Sequence, residues 1–101
     1  FSRMPVEGPR GQLIGLLTRS QLMRLIEKDP EVKTMLVKDV MIKDVKFTDP
    51  DESLDKAINK MKNFKVGCLP VVRRKVLIGI ITETDIIKIV SENDTWSDGG
   101  N

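Results

Sequence analysis

Apolar residues follow two spacings along this chain, short continuous runs and a recurrence every three or four residues. Continuous runs bounded by polar turns predict buried strands. These strands are expected at 1–7, 12–17, 66–72 and 76–81. The recurrence every three or four residues predicts one helix over 19–28 and another over 83–91, each directly after a pair of strands. The order strand, strand, helix therefore occurs twice.

The two stretches also resemble each other residue by residue. Residues 1–26 align with 66–90, so that Thr18 matches Thr82 and the Met-Pro-Val that begins at Met4 matches a Leu-Pro-Val. The offset is 65 residues before the turn between the strands and 64 after it, which predicts one residue gained or lost in that turn. Such self-similarity indicates a fold built from repeated units.

Two further elements precede the second pair of strands. Polar and apolar residues alternate over 44–48, which predicts a half-buried strand. Asp49 is suited to cap a helix, Pro50 to occupy its first position and Glu52 to complete a capping box. The helix that they predict has one apolar face, formed by Leu54, Ala57, Ile58 and Met61. The second unit is therefore strand, helix, strand, strand, helix, and the first unit holds only the last three of these elements.

These patterns divide the chain into four segments. They are the second half of a first motif at 1–28, a connector at 29–36, a complete second motif at 37–91 and a polar tail at 92–101. The connector region is expected to form short helical turns, whereas the tail, which contains Trp96, is expected to be irregular. Because the chain starts with Phe1 in what is predicted to be a strand, we expect it to be a fragment of a longer protein.

Composition excludes several chemistries. The chain has no histidine and a single cysteine, Cys68, so an imidazole base, a His-ligated metal, an intrachain disulfide and a cysteine zinc site are all excluded. A net charge of +2 with interspersed signs, and only four aromatic residues, argue against direct nucleic-acid binding. No apolar run reaches the roughly 18 residues of a membrane span. We expect a cytoplasmic, non-enzymatic protein without direct membrane contact.

Four segments together resemble one CBS domain, the module named after cystathionine β-synthase. They are Val37-Lys38-Asp39-Val40-Met41, and the stretches 49–54, 68–72 and 79–86. The resemblance implies an α+β fold in which each motif has a small mixed sheet of about three strands packed with two helices. Two motifs would pair with pseudo-two-fold symmetry, as in a Bateman module. It also implies a regulatory module that binds an adenosine compound between the motifs and controls a partner or a fused domain.

The resemblance assigns ribose and phosphate contacts to the pattern Gly-x-x-Thr/Ser-x-x-Asp. In the second motif this pattern is Gly79, Thr82 and Asp85, at a junction between a strand and a helix. Free N–H groups at a helix N-terminus favour a phosphate, and a carboxylate can accept from both hydroxyls of a ribose diol. The same Thr-x-x-Asp spacing also serves as a helix cap with no ligand, and the sequence leaves both interpretations open.

The first motif carries a weaker version of this pattern. Thr18, Arg19 and Gln21 occupy the corresponding positions, and Arg19 could meet a phosphate. Gln21 has no charge and only one acceptor oxygen, so it should hold a ribose diol less well than Asp85. We therefore expect two unequal sites, with the stronger one around Asp85.

An adenine would lie against apolar walls and be read by backbone groups, according to the same resemblance. The expected contacts are Met4, Lys43, Val45, Lys46, Cys68, Leu69 and Pro70. The sequence leaves open whether Val45 and Leu69 are simply core residues. The ligands implied are AMP, ADP, ATP, S-adenosylmethionine and cyclic di-AMP, and no cofactor is required.

Apolar residues surround most of the helices predicted over 19–28 and 83–91. A helix that packs on a sheet needs only one apolar stripe, so the surplus predicts a homodimer through these helices. Two functions remain open, an adenine-nucleotide sensor and a ligand-free module for dimerisation or docking. A hydrolase that uses Asp39, Asp44 or Asp85 is disfavoured, because no activating base or oxyanion loop accompanies them.

Overall fold

Two β-hairpins, each followed by a helix, form the framework of the computed structural model, which describes residues 3–100 and the side chains of 3–92. The strands are β1 Arg3–Glu7, β2 Leu13–Thr18, β3 Cys68–Arg73 and β4 Val76–Thr82. The helices are α1 Arg19–Lys28, α2 Val37–Val40, α3 Leu54–Phe64 and α4 Glu83–Gly100, with a 3₁₀ helix at Pro30–Thr34. The α+β class is confirmed, and so is the order strand, strand, helix in each of the two repeats.

The two hairpins have the same internal irregularity. In the antiparallel pair β1–β2 the register shifts between Val6 and Glu7, and in β3–β4 it shifts between Val71 and Val72. These positions are equivalent in the repeat. Beyond the shift, the loop of the first hairpin is one residue longer, which confirms the single-residue difference predicted for this turn.

The tips of the two hairpins pair with each other. Gln12 forms an antiparallel bridge with Val76. Backbone hydrogen bonds flank the bridge: the N–H of Leu13 donates to the carbonyl of Lys75 at 3.0 Å, and the N–H of Leu77 donates to the first hairpin at 2.9 Å. Gln12 and Val76 are equivalent at the 64-residue offset, and so are the two donors. A pseudo-two-fold axis therefore passes between the hairpin tips.

Residues 42–48, named here the bridging segment, connect the two sheets. At one end the N–H and carbonyl of Ile42 exchange hydrogen bonds of 2.8 and 2.9 Å with Leu16 of β2. At the other end Thr48 forms a parallel bridge with Val71 and makes backbone bonds of 3.0 and 2.8 Å with β3. One segment thus extends the first sheet at its start and the second sheet at its end.

The strand predicted over 44–48 is wrong. Within the described residues each sheet has two strands, and the expected third strand is reduced to a single bridged residue, Ile42 in one sheet and Thr48 in the other. An alternating pattern stabilises a strand only where a neighbouring strand runs alongside it. Between Ile42 and Thr48 the segment crosses from one sheet to the other. The residues with the alternating pattern therefore have no neighbouring strand with which to form backbone hydrogen bonds.

Helix α3 begins four residues later than the capping signal at Asp49 predicts. The carboxylate of Asp49 accepts the N–H of Asp51 at 2.8 Å, and the N–H of Asp49 donates to Glu52 Oε1 at 3.0 Å. These bonds form a local turn, an arrangement that competes with helix for the same backbone groups. The actual cap is Ser53, whose Oγ accepts a backbone N–H of α3 at 3.2 Å.

The core lies between α3, β3 and α4. It is built from the buried side chains Ala57, Met61, Leu69 and Ile86. Ile58, Val66 and Ile81 pack against this cluster, which confirms the predicted apolar face of α3 at Ala57, Ile58 and Met61, whereas Leu54 is exposed. Leu69 has no solvent exposure and therefore lies at the centre of the cluster.

The chain after residue 91 differs from its prediction. Helix α4 continues to Gly100, so the expectation of an irregular tail over 92–101 is wrong for the backbone through Gly100. The side chain of Trp96 and all of Asn101 lie outside the described residues. The short helical turns expected in the connector region are confirmed as the 3₁₀ helix and α2. Within residues 3–100, none of the helices combines the length and the apolarity that crossing a membrane requires.

Leu69→Ala should lower the free energy of unfolding by about 2–5 kcal/mol, because it removes a fully buried side chain and leaves a cavity. The matched control is Leu36→Ala, since Leu36 is 58% exposed and its truncation should stay within roughly 0.5 kcal/mol of the wild type. Equilibrium denaturation with urea measures both. Equal effects of the two substitutions would contradict the assigned core.

Glu52→Gln should destabilise the protein at neutral pH and lose this effect in acid. A hydrogen bond from Lys60 Nζ to Glu52 Oε1, at 2.8 Å, and a second from the backbone of Asp49 lower the pKa of Glu52 below its ordinary value of 4.5. The ionised group therefore contributes stability above the unfolded-state pKa, and this contribution disappears as the pH falls through the folded-state pKa. Thermal melting from pH 7 to pH 3 tests this.

The control for that series is Glu27→Gln, which alters an exposed carboxylate of α1. Its melting temperature should follow the wild type at each pH. If the melting temperature of Glu52→Gln stays below that of the wild type by a constant amount down to pH 3, the charge of Glu52 does not cause the stabilisation.

Candidate functional site

A cleft of 630 Å³ opens between the N-terminus of α1, the bridging segment and the start of β3. It is named here the α1 cleft. Its apolar wall comes from Leu16, Ile42, Val45, Val66 and Cys68. The backbone bonds between Ile42 and Leu16 hold the bridging segment against β2, so this wall is fixed by main-chain geometry.

Positively charged side chains dominate the polar lining of the α1 cleft. Among the described residues, this lining contains four cations, Arg3, Arg19, Lys46 and Lys65, and one carboxylate, Asp44. Asp44 pairs with Lys46 at 3.1 Å and is largely exposed. The cleft therefore combines an apolar wall with an excess of positive charge.

The start of α1 adds an electropositive helix end to this lining. Thr18 caps the helix, because its Oγ1 accepts the N–H of Gln21 at 3.2 Å, and Thr18, Arg19 and Ser20 all line the cleft. The first turn of α1 contains no acidic residue. The partial positive charge of this helix end is therefore not neutralised from within the helix.

Gln21 lies beside the cleft rather than in it. With Arg24 and Lys28 it lines an adjoining groove of 390 Å³, which shares Thr18 and Ile42 with the α1 cleft. Its Nε2 donates to the carbonyl at the end of α2, at 3.1 Å, while its Oε1 is buried and has no hydrogen-bond partner among the described residues. A buried acceptor without a partner is costly, so this oxygen is available to a donor that enters the groove.

The second copy of the motif has a different geometry. Thr82 and Asp85 cap α4 reciprocally: Asp85 Oδ2 accepts from the hydroxyl of Thr82 at 2.9 Å, and Thr82 Oγ1 accepts the N–H of Asp85 at 3.2 Å. The N–H of Glu83 donates to the carbonyl of Gly67 at 2.9 Å. Two acidic residues in the first turn and these internal bonds already satisfy this helix end.

The face of the sheet next to this second motif is open. Met41 packs onto Gly15 in the first copy, whereas the equivalent Gly79 faces open space apart from Val71. Likewise Leu16 is 8% exposed, while its equivalent Ile80 is 39% exposed. Among the described residues, no counterpart of the bridging segment lies beside β4.

The structure therefore brings together some of the predicted contacts and separates others. Five of them line the α1 cleft, namely Thr18, Arg19, Val45, Lys46 and Cys68. Gly79, Thr82 and Asp85 do not line it. The expectation that the stronger site surrounds Asp85 therefore stays a prediction.

The remaining predicted adenine contacts lie elsewhere. Leu69 and Pro70 are fully buried, and the Pro70 carbonyl already accepts the N–H of Thr48 at 3.0 Å. Met4 is exposed on β1, outside the α1 cleft. Lys43 lines a second cleft of 410 Å³, next to the tip of the second hairpin. The side chains of Leu69 and Pro70 therefore belong to the core, and their backbone contacts to an adenine stay a prediction.

Sequence reasoning missed two cations of the cleft, Arg3 and Lys65. A Cβ on Gly67 would overlap the guanidinium of Arg3, so the glycine lets this side chain lie against the backbone. Lys65 ends α3 with a φ of 55°, a left-handed conformation that usually selects glycine. A lysine at the position after an amphipathic helix, where glycine is expected, was the signal in the sequence.

The comparisons with known proteins agree with this architecture. The family model of the CBS domain matches residues 37–92, more than half of the chain, and the chain belongs to this family. Homoserine O-acetyltransferase of Methanobrevibacter ruminantium is 34% identical over 91 residues, which cover 89% of this chain and 18% of the relative. Methylated protein MJ0556 of Methanocaldococcus jannaschii is 36% identical over 102 residues, covering 92% of this chain and 57% of the relative. The chain thus spans less than two thirds of either relative.

Solved structures share the fold along most of the chain. A Vibrio cholerae protein assigned to acetoin utilization, AcuB, has a TM-score of 0.87 at 27% identity and covers 97% of this chain and 74% of its own. CBSX2 in complex with AMP has a TM-score of 0.80 at 23% identity, covering 93% and 74%. The CBS domain pair of MJ0100, in complex with 5′-methylthioadenosine and S-adenosylmethionine, has a TM-score of 0.81 at 21% identity, covering 92% and 73%. At 23% and 21% identity, the similarities to CBSX2 and to the MJ0100 pair show a shared fold only.

Cys68 should react slowly with iodoacetamide in the native protein. Burial raises the pKa of its thiol, against a smaller opposing effect of Arg3, so at pH 8 less of it is thiolate than in a free cysteine. The rate should increase strongly in denaturant. Mass spectrometry of the alkylated protein measures the two rates, and equal rates would contradict the buried placement of this residue.

Proposed function

We propose that this chain is a cytoplasmic regulatory module that binds an adenosine-containing nucleotide in the α1 cleft and thereby controls a partner or a fused domain. The observation that carries the proposal is the convergence of a helix N-terminus, four cations and an apolar wall in one cleft. Its volume of 630 Å³ lies within the range of roughly 300–1,000 Å³ found for small-molecule sites. These features match the phosphate and the base of a nucleotide.

The phosphate end of the ligand is expected at the start of α1. Backbone N–H groups and the helix dipole favour an anion there, and the hydroxyls of Thr18 and Ser20 can donate to phosphate oxygens. Arg19 offers a guanidinium that can hold two phosphate oxygens at once. The equivalent end of α4 is less suited, because the carboxylate of Asp85 already occupies it.

The base is expected against the apolar wall. Val45, Val66 and Cys68 provide a surface for the flat face of an adenine, and the irregular backbone of the bridging segment leaves main-chain groups to meet its edge. The ribose would lie between this wall and the helix end. Gln21 Oε1, which has no partner among the described residues, is the acceptor that the adjoining groove offers to a hydroxyl.

The structural neighbours support this choice of ligand. CBSX2 shares the fold in complex with AMP, and the MJ0100 pair shares it in complex with two other adenosine compounds. An adenosine is the common part of these three ligands. A site with an apolar wall for the base and a separate polar end is consistent with that common part.

Regulation would act through the bridging segment. It supplies Val45 and Lys46 to the cleft, and its ends are bonded to both sheets. A ligand that contacts the segment would therefore restrain both hairpins at once. The restraint would shift the populations of their conformations, and a neighbouring domain could respond to that shift. The matching stretch is a small part of homoserine O-acetyltransferase, which supports a role next to a larger domain.

A second candidate function is a structural dimerisation module without a ligand. Helices α1 and α4 expose apolar side chains, including Met23 at 51% and Ile87 at 64%, together with Val90. Surfaces of this kind favour association, and a homodimer through α1 and α4 is compatible with either function. Ligand binding distinguishes the two.

Thermal melting with AMP, ADP, ATP, S-adenosylmethionine and cyclic di-AMP tests the proposal. A ligand at about 100 times its dissociation constant stabilises the folded state by roughly 2.7 kcal/mol. For a domain of this size the melting temperature should rise on the order of 10 °C. Arg19→Glu should abolish the rise, because it places a carboxylate in the expected phosphate site, whereas Arg10→Glu alters an exposed arginine outside the α1 cleft and should retain it.

Asp85→Ala separates the two copies of the motif. It should lower stability by about 0.5–1.5 kcal/mol, because it removes the carboxylate that accepts from the N–H and the hydroxyl of Thr82. The ligand-induced rise should persist, because Asp85 lies outside the α1 cleft. Loss of the rise in Asp85→Ala but not in Arg19→Glu would move the site to the second motif. The absence of any rise, in a protein that stays folded and dimeric, would favour the structural module.

A further inference from the structure

We infer that the α1 cleft selects adenosine ligands with two or three phosphates over AMP, and over S-adenosylmethionine, whose sulfonium is cationic. The inference rests on the proposed function, because it concerns the same cleft, and it names the class of ligand by charge. It follows from the balance and placement of charged side chains in the lining.

The charge balance of the cleft is strongly one-sided. The described lining residues include four cations and one carboxylate, although the whole chain has nearly equal numbers of basic and acidic residues, 17 and 15. The carboxylate, Asp44, is already paired with Lys46 and is mostly solvated. Coulombic attraction grows with the charge of the ligand, so each additional phosphate should gain from this excess, and a sulfonium should not.

The cations come from separate parts of the fold. Arg3 lies on β1, Arg19 begins α1, Lys46 lies in the bridging segment and Lys65 ends α3. They are therefore not a run of charge on one solvated face, which would be the ordinary explanation of clustered lysines and arginines. The fold brings them to one cleft.

Two of these cations have an unusual backbone conformation or an unusually close backbone contact. Lys65 keeps a left-handed backbone, with φ at 55°, where glycine would be unstrained. The guanidinium of Arg3 lies where a Cβ on Gly67 would be, so in this structure the glycine leaves room for it.

The repeat supplies an internal comparison. At the ribose position the second copy has the carboxylate of Asp85, and the first copy has the neutral Gln21. The first turn of α4 contains two acids and that of α1 contains none. A neutral residue in place of the carboxylate weakens the hold on a ribose diol but removes repulsion of nearby phosphates. Affinity in the α1 cleft should therefore depend on the phosphate chain more than on the ribose.

The test is isothermal titration calorimetry of the whole chain with adenosine, AMP, ADP, ATP and S-adenosylmethionine, in EDTA, at 50 mM and 300 mM salt. ATP should bind at least about tenfold more tightly than AMP, a difference of roughly 1.4 kcal/mol. S-adenosylmethionine should bind more weakly than AMP. The affinity for ATP should fall more steeply with salt than that for adenosine, because screening acts on the charged part alone.

Lys65→Gln should reduce the preference for ATP over AMP severalfold and leave adenosine binding unchanged. The matched control, Lys56→Gln, removes an exposed lysine of α3 that does not line the cleft, and should change neither. GTP is included as a second triphosphate, and binding as tight as that of ATP would overturn the adenine part of the proposed function.

The outcomes separate the inference from the function on which it rests. If AMP or S-adenosylmethionine binds as tightly as ATP, with equal salt dependence, the selection by charge is wrong and the nucleotide sensor stands. If none of the adenine compounds binds to the folded protein, both are wrong.

Discussion

The hydrogen bonds at the two ends of the bridging segment are the constraint on which the rest of the structure depends. Ile42 is fixed to β2 and Thr48 to β3, so a stretch of seven residues connects two sheets whose hairpin tips also pair with each other. Because the middle of the segment has no strand partner, Val45 and Lys46 are free of ladder geometry and line the α1 cleft. The join between the sheets and the wall of the candidate site are thus the same residues.

Local signals predicted the repeated parts of the fold well, since they depend on neighbours in sequence. The hairpins, the extra residue in one turn and the helix caps at Thr18 and Thr82 follow from nearby residues alone. The segment 44–48 and the start of α3 depend on other elements. An alternating pattern cannot reveal that its chain crosses between two sheets, and the turn at Asp49 used the residues that otherwise resemble a helix cap.

The sequence predicted which residue types form the candidate site, but not which of them line one cleft. A resemblance that rests on the Thr-x-x-Asp pattern favours the copy with the intact carboxylate, yet in the structure that carboxylate completes a cap on its own helix. Which helix end faces a cleft depends on where the bridging segment lies, and this is a tertiary property. Lys65 left a signal in the sequence, as a lysine where glycine is expected after a helix, whereas the contact of Arg3 with Gly67 requires the folded backbone to recognise.

Gln12 and Val76 hold the same place in their respective repeats, and their contact has the form of an isologous interface, in which one surface meets its own copy. Two separate polypeptides with one unit each would have to associate to make this contact, at the expense of translational and rotational freedom. Within one chain the partner hairpin is present at an effective concentration set by the connection, on the order of millimolar for short flexible linkers. The two hairpins therefore form within one polypeptide the same kind of contact that two subunits make in a symmetric dimer. The formation of this contact does not depend on protein concentration.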